Sequence, residues 1–378
     1  MLISRYLQTT IRQSLVSGLA TIVLGPRRVG KTTLIKKIID ENNPSVIFLN
    51  CDDPDVRNRF SDIGLTELKR FLAKYSIVVF DEAQRIKNIG LVLKMIVDEM
   101  PEKTTLATGS SSLELSNEIN EPLTGRKKTF YLYPLSFLEL YEHEKYDTIA
   151  TASYLNDILR FGSYPHIFDL PNNSEKESYL LELANDYLYK DILEYQEIRN
   201  PEQLRKLLVA LALQIGQEVS YTELASLVGI DQKTVLRYLD LLEKSFVIFR
   251  LPAFSRNLRT EISKSRKIYF YDLGIRNALI KNFNPYELRQ DKGQSWENLI
   301  ISERIKRDVY QGKQKNYYFW RTYAKKEIDL IEEYRGNITG FEIKWTNNKI
   351  SPIKEFTNTY SASSIQLVNR ENFLDFVT

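Results

Sequence analysis

Residues 19–24, LATIVL, and 75–80, YSIVVF, are continuous apolar runs rich in β-formers, the pattern of strands buried on both faces. A third run, KTTLATGSSS at 103–112, ends in the small polar residues Thr108, Gly109 and Ser110. The helical stretch LIKKIIDEN follows the first run, so the chain opens on strand, loop and helix. A linker is expected near 142–152, and the apolar positions of residues 177–198 then predict a long helix. Next come two short helices: one over Thr222–Leu227 with Leu224, Ala225 and Val228 inward, and one capped by Asp231. Gly229 supplies the turn between them, Val235, Leu236, Leu239 and Leu242 form the inward face of the second, and FVIF continues as a strand. Residues 293–308 predict an amphipathic helix with Trp296, Leu299, Ile300 and Ile305 inward. After NYYFWR, the runs EIDLI and FEIKW alternate with period two around a turn at Gly336 and Asn337, which predicts a hairpin.

The loop after the first strand is GPRRVGKTT. Gly25, Gly30, Lys31 and Thr32 satisfy G-x-x-x-x-G-K-[ST], where loop amides and a helix N-terminus cradle phosphates. Nucleotide contacts are therefore expected from Gly25, Pro26, Arg27, Arg28, Val29, Gly30, Lys31, Thr32 and Thr33, with ATP as ligand. Lys31 reaches the β and γ phosphates in this pattern, and the Thr32 hydroxyl binds Mg²⁺. The second strand ends in Asp81 and Glu82, the place for an acid that orders the Mg²⁺ shell and a glutamate that polarises the attacking water. Ser110, at the end of the third, can touch the γ phosphate or the water. Arg126, in a turn ahead of a strand, is a candidate arginine finger or equally a surface arginine, and the sequence leaves open whether a finger would act within its own chain or on a neighbour.

The helix pair followed by FVIF predicts a winged helix-turn-helix. Its recognition face would carry Gln232, Lys233, Thr234, Arg237 and Tyr238, with Asp231, Asp240 and Glu243 offsetting the charge. Arg256, Arg259, Lys264, Arg266 and Lys267 follow the wing and suit non-specific contacts to a nucleic-acid backbone. A winged helix used for protein contacts, or as a lid on the nucleotide site, is the alternative. In the hairpin, Glu342 and Lys344 share one face of their strand, and pairing brings Asp329 beside Glu342. With Glu297 near the start of the preceding helix, these are candidate residues for a second site holding Mg²⁺ or Mn²⁺. Glu332, on the same hairpin, is expected to be a bystander. The plain reading is a solvated strand face whose exposed ion pairs contribute well under about 1 kcal/mol.

Composition narrows this picture only a little. A chain of 378 residues exceeds one ordinary core and predicts two or three domains at about 150 residues each. The single cysteine, Cys51, fits a reducing compartment, and no run approaches the roughly 18 apolar residues of a membrane span, so a cytoplasmic protein without a membrane partner is expected. Residues 251–350 hold 20 Lys and Arg against 12 Asp and Glu, a local excess of +8 in a chain of net charge +3, which predicts a basic C-terminal surface. His143 and His166 have no metal-ligand companions at useful spacing.

GPRRVGKTT, VVFDEAQ, TGSSS, LTGR and YPLSFLEL, in this order, resemble the prokaryotic AAA-type ATPase family that joins a P-loop module to a C-terminal domain of unknown function. The resemblance continues through FGSYP and YFYDLGIRNAL. The helical Glu297, then Asp329, then Glu342-x-Lys344 is similar in order to the catalytic core of the PD-(D/E)xK nuclease superfamily. The expected architecture is α/β throughout: an AAA-type ATPase domain at 1–145, a helical and winged-helix domain at 146–255, and a restriction-endonuclease-like domain at 256–378. With the winged-helix pattern and the basic residues after it, the expectation is an ATPase that binds DNA non-specifically and cleaves it, a DNA-remodelling factor without cleavage being one alternative. The rival is a nucleotide switch acting on a protein partner, with an inert nuclease-like fold. A homo-oligomer is left open.

Overall fold

The computed structural model describes residues 3–40, 42–110, 122–190, 200–255, 266–322, 326–346, 354–360 and 363–378. The chain divides into two compact units, one of residues 2–134 with 244–246, the other of 135–243 with 247–378.

The first unit is built on a parallel sheet in the order β2-β3-β4-β1-β5. Its strands are β1 (Ala20–Leu24), β2 (Val46–Asn50), β3 (Ile77–Asp81), β4 (Thr104–Gly109) and β5 (Lys127–Tyr131). β1 and β3 were legible as apolar runs because helices cover both faces of a parallel sheet, and β1 is buried at every position. The chain leaves β1, crosses to β2 and returns, so the strand order reverses beside β1. Ligands of open α/β sheets bind at the carboxyl ends of the strands at such a point. The loops that follow β1, β3 and β4 all open there. Gly25 begins the first of these loops because only glycine fits: a Cβ would lie 2.0 Å from the Leu132 carbonyl oxygen.

In the second unit, β9 (Asn316–Arg321), β10 (Glu327–Tyr334), β11 (Asn337–Ile343) and β12 (Ser363–Val368) form a sheet in the order β12-β11-β10-β9. β9, β10 and β11 are antiparallel neighbours and β12 joins β11 in parallel. Phe254, Trp320, Ile328, Ile331, Ile338, Phe356 and Tyr360 make a core on this sheet. Ile328 pairs with Trp320 and Ile331 with Tyr318, so β10 carries one extra residue there, a bulge that re-aims Asp329 and Leu330. A smaller antiparallel sheet, β6-β8-β7, is made of Glu218–Val219 (β6), Ile248–Pro252 (β7) and Arg266–Phe270 (β8).

The helix Lys292–Tyr310 departs from the amphipathic expectation. Glu303, Arg304, Lys306, Arg307 and Asp308 are all buried beside Trp296, Leu299 and Ile300, whereas Ile305 is half-buried. Their charges are paired inside: Lys306 with Glu303 at 2.7 Å, and Arg304 and Lys315 with Glu332 at 2.5 and 2.7 Å. Glu332 is thus no bystander on the hairpin, because it neutralises two cations in the interior. The basic C-terminal surface shrinks for the same reason: Lys267, Arg276, Arg289, Arg304, Lys306 and Arg307 are buried. Among the described residues no helix is long and apolar enough to cross a membrane.

Helices Tyr221–Val228 and Gln232–Lys244 stand where the pattern puts them, with Gly229 in the left-handed region at φ 75° and Asp231 accepting from the Thr234 amide at 2.9 Å. Leu224, Ala225 and Val228 are buried, as are Val235, Leu239 and Leu242. Tyr238 belongs to this core at 1% exposure, not to an outward face, while Leu236 is half-buried. Asp240 and Glu243 are both held by Arg250, at 2.6 and 2.5 Å. Arg256, Arg259 and Lys264 lie outside the described residues, as do Ser111, Ser112 and the expected helix beyond Lys190.

Candidate functional site

The phosphate loop joins the end of β1 to the helix Lys31–Ile38. Pro26 and Val29 are buried, Arg27 is half-buried, Arg28 is exposed, and Thr33 sits exposed on the first helical turn. Arg28 and Gly30 take φ values of 61° and 91°, which turns successive amides inward at the helix N-terminus. The loop is held from outside by a residue the sequence gave no reason to single out. Arg5 donates to the Val29 carbonyl and to the Tyr133 carbonyl, both at 2.6 Å.

Lys31 is 4% exposed, and its ammonium donates to the Gly25 and Pro26 carbonyls at 3.0 Å each, with a Glu82 carboxylate oxygen at 3.7 Å. Thr32 donates to both Asp81 oxygens, at 3.0 and 2.8 Å. A hydroxyl and a carboxylate in contact beside a phosphate loop are hard oxygen donors, the set Mg²⁺ prefers. Thr108 on β4 ties the two acids together: its hydroxyl donates to Asp81 at 2.6 Å and accepts from the Glu82 amide at 3.0 Å. Glu82 sits in the left-handed region at φ 54°. Burial pushes its carboxyl up, but Lys31, the Gln84 amide, Arg27 and Ser110 outweigh this and hold it below the ordinary value, so it is ionised. Ser110 is 3% exposed and accepts from Gln84 at 2.9 Å. The expected residues Lys31, Thr32, Asp81, Glu82 and Ser110 therefore come together.

Arg126 does not join them. β5 runs parallel to β1 with Lys127 opposite Ala20, so Arg126 lies at the amino edge of the sheet, whereas the phosphate loop leaves the carboxyl edge. Five residues of strand, about 16 Å, separate those edges. Arg126 pairs with Asp98 at 2.6 Å. Action on the nucleotide of its own chain is excluded by this placement.

In the second unit, Asp329, Glu342 and Lys344 meet as the hairpin predicts. Lys344 reaches Asp329 and Glu342 at 3.0 Å each, and Asp329 also accepts from the Ile343 amide at 2.8 Å. Glu297 lines a cleft of about 570 Å³ with Lys344, Glu327 and Arg321. The other wall was not foreseen. Lys267, assigned above to a backbone-binding surface, is 2% exposed on β8 and bridges Glu297 at 2.9 Å and Glu327 at 2.5 Å. Tyr269, two residues on, donates to Glu297 at 2.5 Å. Burial and the Asp329 charge push Glu297 up to about 7 against the pull of Lys267. Burial and Asp329 also raise Glu342, while the two carboxylates hold the proton on Lys344 despite its burial. Each carboxylate of this cluster is thus answered by an ammonium. Among the described residues no three His, Cys, Asp or Glu side chains are grouped to hold a metal ion, and the Lys344 ammonium occupies the space between Asp329 and Glu342. As folded, the cleft does not fit the expected second metal.

Residues 17–141 match a family described as "AAA domain". Residues 152–286 and 292–375 match two families described as "Domain of unknown function", DUF8612 and DUF4143. The chain is similar to "Uncharacterized protein Rv2008c" of Mycobacterium tuberculosis, 27% identical over 343 residues, covering 89% of this chain and 73% of that protein. It is also similar to "Uncharacterized protein MJ1544" of Methanocaldococcus jannaschii, 28% identical over 342 residues, covering 83% of this chain and 74% of that protein. Among solved structures, Thermotoga maritima RuvB aligns over 65% of this chain and 86% of its own at 16% identity, with a TM-score of 0.31, too low to carry an argument. The family match and the loop geometry agree on the first unit, which is a P-loop domain of AAA ATPase type.

Proposed function

We propose that the protein hydrolyses ATP in its first unit and uses its second to engage nucleic acid. The observation that carries the first half is the Thr32–Asp81–Thr108 chain of hydrogen bonds with Glu82 beside Lys31. The phosphates would lie on the loop from Gly25 to Thr33, with Lys31 turned to them. Thr32 and Asp81 would hold Mg²⁺, which when bound neutralises charge on the phosphate oxygens. Glu82 accepts a proton from water as the water oxygen bonds to the γ phosphorus, and the bond to the bridging oxygen of ADP breaks. Arg126, if it serves a nucleotide, serves one on a neighbouring chain.

Glu82→Gln tests this assignment, since it keeps the shape and loses the base. ATP binding measured by calorimetry should persist while turnover falls by roughly 10²-fold or more. Turnover near wild type would make Glu82 a structural residue.

For the second unit we read residues 146–255, with β8 of the following segment completing their sheet, as carrying a winged helix. The helix–strand–helix–turn–helix order and the antiparallel sheet of β6, β7 and β8 support this. Gln232 and Lys233 remain exposed at the start of the second helix, where base or backbone contacts are made in such motifs. ATP turnover measured with and without duplex and single-stranded DNA tests the coupling. Rates unchanged by every substrate would favour the nucleotide switch acting on a protein partner.

A nuclease-like fold with cleavage in the cleft is a second reading, favoured by the convergence of Asp329, Glu342 and Lys344 within 3.0 Å beside Glu297. It requires Lys344 to leave the two carboxylates before a cation can enter, and on that condition predicts nicking of DNA or RNA in Mn²⁺ or Mg²⁺ at low salt. Asp329→Ala, Glu342→Ala and Lys344→Ala should each remove nicking while sparing ATP turnover. Glu333→Ala is the proper control, because Glu332 is an interior counter-ion. Cleavage that survives all three substitutions, or none with either metal, leaves the cleft as a binding surface.

A further inference from the structure

Glu82 must be aimed at a water molecule, yet its backbone is in a region that bulky residues avoid and it pairs with Lys31, which a nucleotide would claim. Phosphates drawing the Lys31 ammonium toward themselves remove that contact. Of the groups that then still hold the carboxylate, the one with a short hydrogen bond to it is Gln84, on the short 3-10 turn Ala83–Arg85. Its amide nitrogen donates to a Glu82 oxygen at 2.7 Å and to the Ser110 hydroxyl at 2.9 Å. The amide can stand only this way round, because the reversed orientation would set its oxygen against the Glu82 carboxylate. Its oxygen is buried and has no hydrogen-bond partner among the described residues, where the two bonds of the nitrogen account for the orientation of the group.

We propose that Gln84 is the positioning residue for hydrolysis, holding Glu82 toward the attacking water and linking it to Ser110 at the end of β4. This rests on the ATPase reading of the same site. Water gives its proton to the Glu82 carboxylate while its oxygen bonds to the γ phosphorus and ADP leaves with the bridging oxygen. Gln84 takes no proton and forms no bond to the substrate. Its part is to keep Glu82 in one of the several orientations that its side chain could otherwise adopt once Lys31 has turned to the phosphates.

Gln84→Ala and the shape-keeping Gln84→Met are to be compared with the wild type by kcat, KM, calorimetric affinity for Mg·ADP, and thermal midpoint. The expected result is a kcat lower by about 10- to 100-fold, with KM, affinity and midpoint little changed, since a misplaced base costs rate and not binding. Gln84→Ala and Ser110→Ala should combine non-additively in kcat, as partners of one network do. A kcat within about two-fold of wild type, or a loss that follows affinity or thermal midpoint, overturns the inference. The ATPase reading fails separately: a wild type without turnover overturns both, whereas an inactive Glu82→Gln beside a fully active Gln84→Ala overturns this one alone.

Discussion

Lys31→Ala is expected to bring ATP turnover below detection while the chain keeps its fold. The ammonium is the cation that faces the β and γ phosphates in a loop of this kind. Arg28 is exposed, and Arg27 is half-buried and helps hold the Glu82 carboxyl low. The same ammonium is buried and donates to the Gly25 and Pro26 carbonyls, so truncation also removes two hydrogen bonds. That loss is of the order of 1–3 kcal/mol, small for a sheet-centred unit of this size. Phosphate release from ATP, with nucleotide affinity and thermal midpoint recorded alongside, checks the outcome. Undiminished, ATP-specific hydrolysis by the pure variant would contradict the phosphate-loop assignment.

Asp291→Ala should destabilise the second unit by about 3–5 kcal/mol, because it strands two buried arginines. Arg289 grips Asp291 through two nitrogens, at 2.8 and 2.7 Å, and Arg276 pairs with the same carboxylate. Arg276 is 2% exposed and Arg289 4%, so neither cation can turn to water when the carboxylate goes. Burial pushes the Asp291 carboxyl up, and the hydrogen bonds and charges of Arg289 and Arg276 more than reverse that, leaving it well below the usual carboxylate range. A folded value below the unfolded one gives stability that is fully present above an ordinary aspartate pKa of about 3.9 and is lost as pH falls below it. Calorimetric unfolding of the whole chain at neutral pH and near pH 3 should therefore show the wild type losing this advantage in acid and Asp291→Ala having none to lose. A change under about 1 kcal/mol at neutral pH would mean the arginines find other partners.

Much of the nucleotide site could be read from the residues alone because its geometry is local. A phosphate loop is a strand end, a glycine turn and a helix start within nine consecutive positions, and GPRRVGKTT carries the whole of it. Asp81 and Glu82 close a strand that is apolar along its length, so their position at its carboxyl end was visible too. The paired helices at 221–244 and their caps at Gly229 and Asp231 were legible for the same reason, as was the Asp329–Glu342 pairing, which one tight turn determines.

What only the tertiary structure decided depends on which elements become neighbours. Arg126 is excluded from its own nucleotide because β5 lies parallel to β1 and begins at the far edge, a direction no local pattern records. Lys267 reads as one more basic residue after a wing, yet β8 carries it beneath Glu297 and Glu327 and turns a surface charge into an interior one. The helix Lys292–Tyr310 has the spacing of an amphipathic helix, but packing on more than one side buries its charged residues, which are then stabilised by partners far along the chain such as Glu332. Gln84 and Thr108 look like ordinary polar residues in sequence. The register of β3 beside β4 is what brings Thr108 to Asp81 and Ser110 to Gln84, since a hydrogen bond of 3 Å needs the alignment of two strands that sequence periodicity does not specify.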